Sequence, residues 1–243
     1  MSTTQTIEQL RHLKLKAMAN TYTGVLEQAL HLQPEAHDLI ALLSDAETTS
    51  RINNKTERLR KRSKLRYRAY LSEVNTGVER NLSKQQLQYF TQGQYIQKAE
   101  NLLITGPTGC GKTYLACALG NQACQQGISV SYLNLMNFMN QIQISTIDGT
   151  CLKFIKELCK PQLLILDEFG LAPLNYESKV ALFNIIEERN ERMPTILVGQ
   201  IPVNLWHEYI NEPTLADALM DRLTAKANIV ELKGSSLRIK KIE

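Results

Sequence analysis

Apolar positions over the first thirty residues (Ile7, Leu10, Leu13, Ala17, Met18, Tyr22, Val25, Leu26, Ala29 and Leu30) recur at three- and four-residue intervals. That period places them on one face of an amphipathic helix, predicted to end near Pro34. A second helix is predicted over 35–46, with Leu39, Ile40, Leu42 and Leu43 inward. From Asn101 the pattern changes. Short aliphatic runs at 102–105, 128–133, 163–166 and 195–199 alternate with helical patterns over 114–124, 135–147, 151–159 and 180–192. Unbroken aliphatic runs suit strands buried on both faces, and their alternation with helices predicts a parallel sheet covered on both sides. Between these regions, Leu82, Leu87, Phe90, Tyr95 and Ile96 suggest a short helix docking on the core. The expected organisation is a helical domain over 1–70, a junction over 71–98 and an α/β domain over 99–243.

Composition adds limits. The 243 residues are 43% hydrophobic, enough for one α/β core and a smaller appendage. No apolar run approaches the roughly 20 residues that cross a bilayer, so no membrane partner is expected. The opening Met1-Ser2-Thr3-Thr4-Gln5 lacks the charged and apolar regions of a signal peptide, and a cytoplasmic location is expected. Five cysteines without metal-ligand or redox spacing read as reduced thiols, with Cys117 and Cys124 as core packing.

Charge is divided unevenly. Residues 1–100 carry 15 Lys and Arg against 10 Asp and Glu, which leaves 13 against 14 for the rest. Nine of the cations fall between 51 and 68: Arg51, Lys55, Arg58, Arg60, Lys61, Arg62, Lys64, Arg66 and Arg68, with Glu57 the single acid. Strong helix formers without Gly or Pro predict a helix there, positive over most of its circumference. Such a segment is either a solvated face or a polyanion site. The arginine density, with Tyr67 and Tyr70 nearby to pack on sugar or base, points to nucleic acid.

The sharpest chemistry lies in Gly106-Pro107-Thr108-Gly109-Cys110-Gly111-Lys112-Thr113, between a predicted strand and a predicted helix. This is a phosphate-binding P-loop in its required context. Its glycines let successive N–H groups turn inward, the helix N-terminus adds partial positive charge, Lys112 would reach the β and γ phosphates of ATP, and Thr113 would ligate Mg²⁺. Asp167 and Glu168 follow the aliphatic run 163–166, at the strand end where ligands sit in an open α/β sheet. Asp167 would hold Mg²⁺ and Glu168 would polarise the attacking water. Gln200, just after the strand 195–199, is either a polar strand terminus or a group that orients that water. Trp206 and His207 read as packing, and His12, His31 and His37 complete no metal site.

With these motifs, the block Glu212-Pro213-Thr214-Leu215-Ala216-Asp217-Ala218, Asp221-Arg222 and the terminal Gly234-Ser235-Ser236-Leu237-Arg238, the chain resembles the IstB-like helper ATPases of bacterial insertion sequences. These form a DnaC-like branch of the AAA+ ATPases. The likeness runs nearly end to end. It implies a P-loop NTPase fold with a small N-terminal helical domain, assembly with copies of itself on duplex DNA, and a cognate transposase as partner. By resemblance Arg222 looks like an arginine finger entering a neighbouring subunit's site, and Arg238 like a second sensor touching phosphate in its own. A DnaC-like helicase loader is the nearest alternative. Gly199 stands where the family usually has a hydroxyl residue. Thr108 and Cys110 also depart from its usual loop. Only 21 residues follow Arg222, so a separate C-terminal lid is not expected.

Overall fold

Ser2 opens helix α1 (Thr3–His12) with a capping box, its hydroxyl accepting from the Gln5 N–H and the Gln5 side chain accepting from its own. The thirty-residue helix predicted from the apolar period is in fact two. Lys14 takes a left-handed φ of +62° and helix α2 (Lys16–Leu26) starts afresh. The next helix, α3 (Ala36–Ser63), runs far beyond the predicted stop near Ala46. It contains no Gly or Pro, so nothing in the local chemistry halts it. Glu47 fastens α3 to α2: its Oε2 accepts the N–H groups of Ala17 (3.1 Å) and Met18 (3.4 Å), and Arg51 donates to Oε1 at 2.9 Å. A carboxylate thus meets the unpaired donors of a helix N-terminus.

The computed structural model describes residues 2–237. It divides into two units, Met1–Arg58 and Leu59–Glu243, and α3 carries the chain across that boundary. The basic helix was predicted to continue through Arg68, but it stops at Ser63, and Lys64 turns the chain with a φ of +55°. The cause is tertiary. Leu65 leaves the helix path to pack against the core of the second unit.

That unit is three layers. Its sheet comprises β1 (Asn101–Thr105), β2 (Val130–Asn134), β3 (Leu163–Phe169), β4 (Thr195–Gly199) and β5 (Ala227–Glu231). The order is β2-β3-β4-β1-β5 with every pairing parallel, as the aliphatic runs predicted. One face is covered by α4 (Lys84–Thr91), α5 (Gln94–Gln97) and α6 (Lys112–Gln125), which bury Phe90, Tyr95, Cys117 and Cys124. The other carries α7 (Leu135–Ile147), α8 (Cys151–Cys159), α9 (Tyr176–Arg189), α10 (Trp206–Ile210) and α11 (Pro213–Thr224). Helix α9 begins four residues before the predicted 180 because Asn175 caps it, accepting from the Ser178 N–H at 3.0 Å. Trp206 is fully buried against Phe169, with ring centroids 4.5 Å apart, and its indole N–H donates to the Ile201 carbonyl at 3.0 Å. Among the described residues no helix is long and apolar enough to cross a membrane.

Candidate nucleotide-binding site

All five strands point their C-terminal ends to one edge, and the loops there define the site. β1 leads through Gly106–Gly111 into α6. Gly106 has a φ of +139°, and a Cβ on it would collide with the Leu232 carbonyl oxygen after β5. Gly109 has a φ of +83°, and a Cβ there would strike the Ser236 side chain. Both positions therefore require glycine on conformation and on space. Lys112, only 8% exposed, donates from Nζ to the carbonyls of Gly106 (2.8 Å) and Pro107 (2.9 Å). The loop's cation is thus held at its centre.

β3 delivers the carboxylates. Asp167 is 1% exposed, and three donors satisfy it: the Thr113 hydroxyl (3.2 Å) and the Glu168 N–H (2.8 Å) at Oδ1, and the Tyr132 hydroxyl (2.7 Å) at Oδ2. Tyr132 sits on β2 beside β3. Burial, and then its bond to Asp167, push its pKa well up. Glu168 departs from strand geometry with a φ of +65°, where the β3–β4 register shifts between Leu166 and Phe169. Its Oε2 accepts from the Asn134 amide and its Oε1 from Arg66 Nη1 at 2.8 Å. Asn134 lies opposite Asp167 in the β2–β3 register. Its Oδ1 also caps α7 through the Met136 N–H at 2.8 Å. Gln200 accepts from the Thr108 hydroxyl at 2.9 Å, which links the end of β4 to the phosphate loop.

These groups border one cleft of about 590 Å³, lined by Arg66, Thr108, Gly109, Gly111, Lys112, Thr113, Asp167, Glu168, Gln200 and Leu237 among others. The cleft has a cation and a helix N-terminus for phosphate, a hydroxyl and carboxylate for a hard cation, and a second carboxylate for water. The family profile of IstB-like ATP binding proteins matches residues 8–243. The chain belongs to that family. An insertion sequence ATP-binding protein of Sinorhizobium fredii is 35% identical over 233 residues, spanning 96% of this chain and 95% of that one. Among solved structures, DnaI is similar with a TM-score of 0.60 at 20% identity, over 70% of this chain and 91% of that one. The DnaC helicase loader is similar with a TM-score of 0.57 at 18% identity, over 69% and 98%. Both likenesses show the fold alone, a parallel sheet flanked by helices.

Within the IstB-like chain the remaining expected residues are dispersed. Cys110 is buried in the phosphate loop, where Arg80 donates to its carbonyl oxygen. Arg222, on α11, pairs with Glu187 of α9, donates to the Ala218 carbonyl at 2.9 Å and stacks 5.2 Å from the Phe183 ring centre. It does not line its own chain's cleft. Arg238 lies outside the described residues. Of the basic stretch, Arg51 pairs with Glu47, and Lys55, Arg58, Lys61, Arg62 and Lys64 are exposed. Arg60 donates to the Asn121 amide oxygen at 2.7 Å, and Arg68 to the Tyr70 hydroxyl at 2.9 Å. Arg66, expected to lie on a helix face with its basic neighbours, instead turns into the cleft.

Sequence reasoning missed Asn134, Tyr132 and Arg80. The first two were within reach: once β2 and β3 are neighbours, residues ending β2 must flank Asp167. For Arg80 no local signal exists. It ends a 3₁₀ turn (Val78–Arg80) and touches the loop only through tertiary structure. Gly199 also finds a reason here. A Cβ on it would lie 2.9 Å from the Phe169 carbonyl oxygen and 3.6 Å from the Trp206 ring, so this packing leaves no room for a side chain.

Proposed function

We propose that this chain is an ATP-hydrolysing, DNA-binding helper of transposition that assembles on target DNA and recruits or stimulates its cognate transposase, hydrolysing ATP at subunit interfaces. The observation that carries the reading is the convergence of Lys112, Thr113, Asp167, Glu168 and Gln200 on one cleft. The polyphosphate of ATP would lie along the loop N–H groups, with Lys112 passing from the carbonyls it holds to the β and γ phosphates. Thr113 and Asp167 would hold Mg²⁺. They are hard oxygen donors 3.2 Å apart, and the ion takes the rest of its shell from water and phosphate, so two protein ligands suffice. When bound it neutralises charge developing on the transferred phosphoryl group. Glu168 accepts a proton from the attacking water while Gln200 orients it. Arg222, absent from its own cleft, would serve a neighbour's.

The exposed cations of the 51–68 stretch support duplex DNA as the partner, bound through phosphates and therefore with little base preference. The insertion sequence context of the relative supports transposition. Helicase loading is the second reading, supported by the fold shared with the DnaC helicase loader. Phosphate release from the full chain, with and without duplex DNA, tests the enzymatic part, with Lys112→Ala as the control. No release above that control under either condition overturns it. Co-purification with a transposase supports the first reading, and with a replicative helicase the second.

A further inference from the structure

Arg66 belongs to the basic stretch by sequence and to the nucleotide cleft by structure. The chain delivers it there rigidly. After the Lys64 turn, Leu65 packs into the notch left by Gly120, where a Cβ would lie 2.8 Å from the Leu65 Cδ2 and 2.9 Å from Ile165 Cδ1. Four residues after Leu65, Ala69 is fully buried, and its carbonyl accepts from the Asn121 amide at 2.8 Å. Arg66 is thus clamped from both sides. Its Nη1 meets Glu168 at 2.8 Å, beside Asp167, which the Tyr132 hydroxyl holds. The side chain is nonetheless 40% exposed, which leaves part of its donor fork open to solvent between the exposed Lys64 and Arg68.

We propose that Arg66 is a positioning residue that exchanges one anion for another: it restrains Glu168 until a nucleic-acid phosphate takes its place, and so ties DNA contact to ATP hydrolysis. This rests on the ATP-hydrolysing, DNA-binding reading above. With Arg66 on Oε1 and Asn134 on Oε2, both carboxylate oxygens already accept charged or amide donors. A carboxylate in that state is a poor acceptor for a proton from water. The pair is half-exposed, a setting in which ion pairs are weak. A phosphate offers the same guanidinium a bidentate, charge-assisted partner, with neighbouring cations to hold it. Freed from Arg66, Glu168 keeps its place through Asn134 and regains an open oxygen.

The proposal separates from a plain DNA contact by sign. A residue that only binds DNA lowers DNA affinity when removed and leaves the DNA-free rate alone. A restraint raises the DNA-free rate when removed. The experiment is steady-state phosphate release by the full chain, with and without saturating duplex DNA, for the parent, Arg66→Gln and Arg66→Lys, with ATP KM measured for each. For Arg66→Gln the DNA-free kcat is expected to rise about tenfold, a fraction of the 10²–10⁴ that a general base contributes. Its KM should hold and its stimulation by DNA should shrink toward unity. Arg66→Lys, which keeps the charge, should return the DNA-free rate toward the parent's. If the parent binds and responds to DNA but Arg66→Gln keeps the parent's DNA-free kcat, or lowers it, this inference is overturned while the broader reading stands. If the parent neither binds duplex DNA by fluorescence anisotropy nor responds to it, the DNA-binding reading falls and takes the exchange with it.

Discussion

Lys112 donates to the carbonyl of Gly106 at 2.8 Å, so the cation of the phosphate loop closes that loop onto the strand it leaves. Lys112→Ala is therefore expected to lose both a phosphate partner and a loop brace. Charge-assisted hydrogen bonds contribute roughly 1.5–3 kcal/mol each, so ATP affinity should fall on the order of 10²-fold. Titration with a fluorescent ATP analogue measures it, and an affinity within threefold of the parent's would contradict the assignment.

Glu168→Gln keeps size and one accepting oxygen, but its amide nitrogen cannot accept from Asn134 or Arg66, and the proton acceptor is lost. ATP binding should persist while kcat drops on the order of 10²–10³. Nucleotide-stabilised assemblies should then live longer. Turnover at the parental rate would remove Glu168 from the mechanism.

Tyr132 supplies one of three donors to a buried carboxylate. In Tyr132→Phe one Asp167 oxygen loses its partner, which costs about 1–3 kcal/mol of stability and should weaken Mg²⁺ dependence of ATP binding. The hydroxyl pKa is raised in the folded state. Its contribution is therefore complete below the unfolded value of about 10 and declines as pH rises past it. Melting curves at neutral and alkaline pH test this: the gap between parent and variant should narrow above pH 10.

For Arg222 the expectation concerns two subunits. Arg222→Ala should lower turnover by about 10³ or more, the scale of arginine-finger loss, with little change in ATP affinity of the isolated subunit. Mixing it with Lys112→Ala protein should restore some activity, since one partner brings an intact loop and the other an intact finger. Absence of recovery at every ratio, with co-assembly verified, argues against a shared site.

Lys61, Arg62 and Lys64 are exposed neighbours in the basic stretch and do not line the cleft. Replacing all three with Ala should flatten the log–log salt dependence of duplex DNA binding by about 3, close to one unit for each phosphate no longer neutralised. An unchanged slope would reduce these residues to a solvated face.

The ATP-binding core was legible because its signals are local. The helices 135–147 and 151–159 and the strand 195–199 begin and end where the apolar pattern said. The strand order that puts β2 beside β3 is not local, and with it went Asn134 and Tyr132. The break at Lys14 escaped because the three- and four-residue apolar period continues across it, although Leu13 is exposed. Arg66 was misread for the opposite reason. Its composition matched its basic neighbours, while its destination depends on Glu168, a partner 102 positions away.

Two positions of the phosphate loop answer to different pressures. Gly106 is fixed by the Leu232 carbonyl against its α-carbon, a constraint of folding that holds whether or not nucleotide is present. Thr108 is exposed, and its hydroxyl reaches across to the Gln200 side chain. In a saturation library, then, a screen for soluble expression alone should already deplete every substitution at Gly106. Thr108 variants should pass that screen and separate only under selection for transposition, so one octapeptide would score as two unrelated sites depending on what the selection rewards.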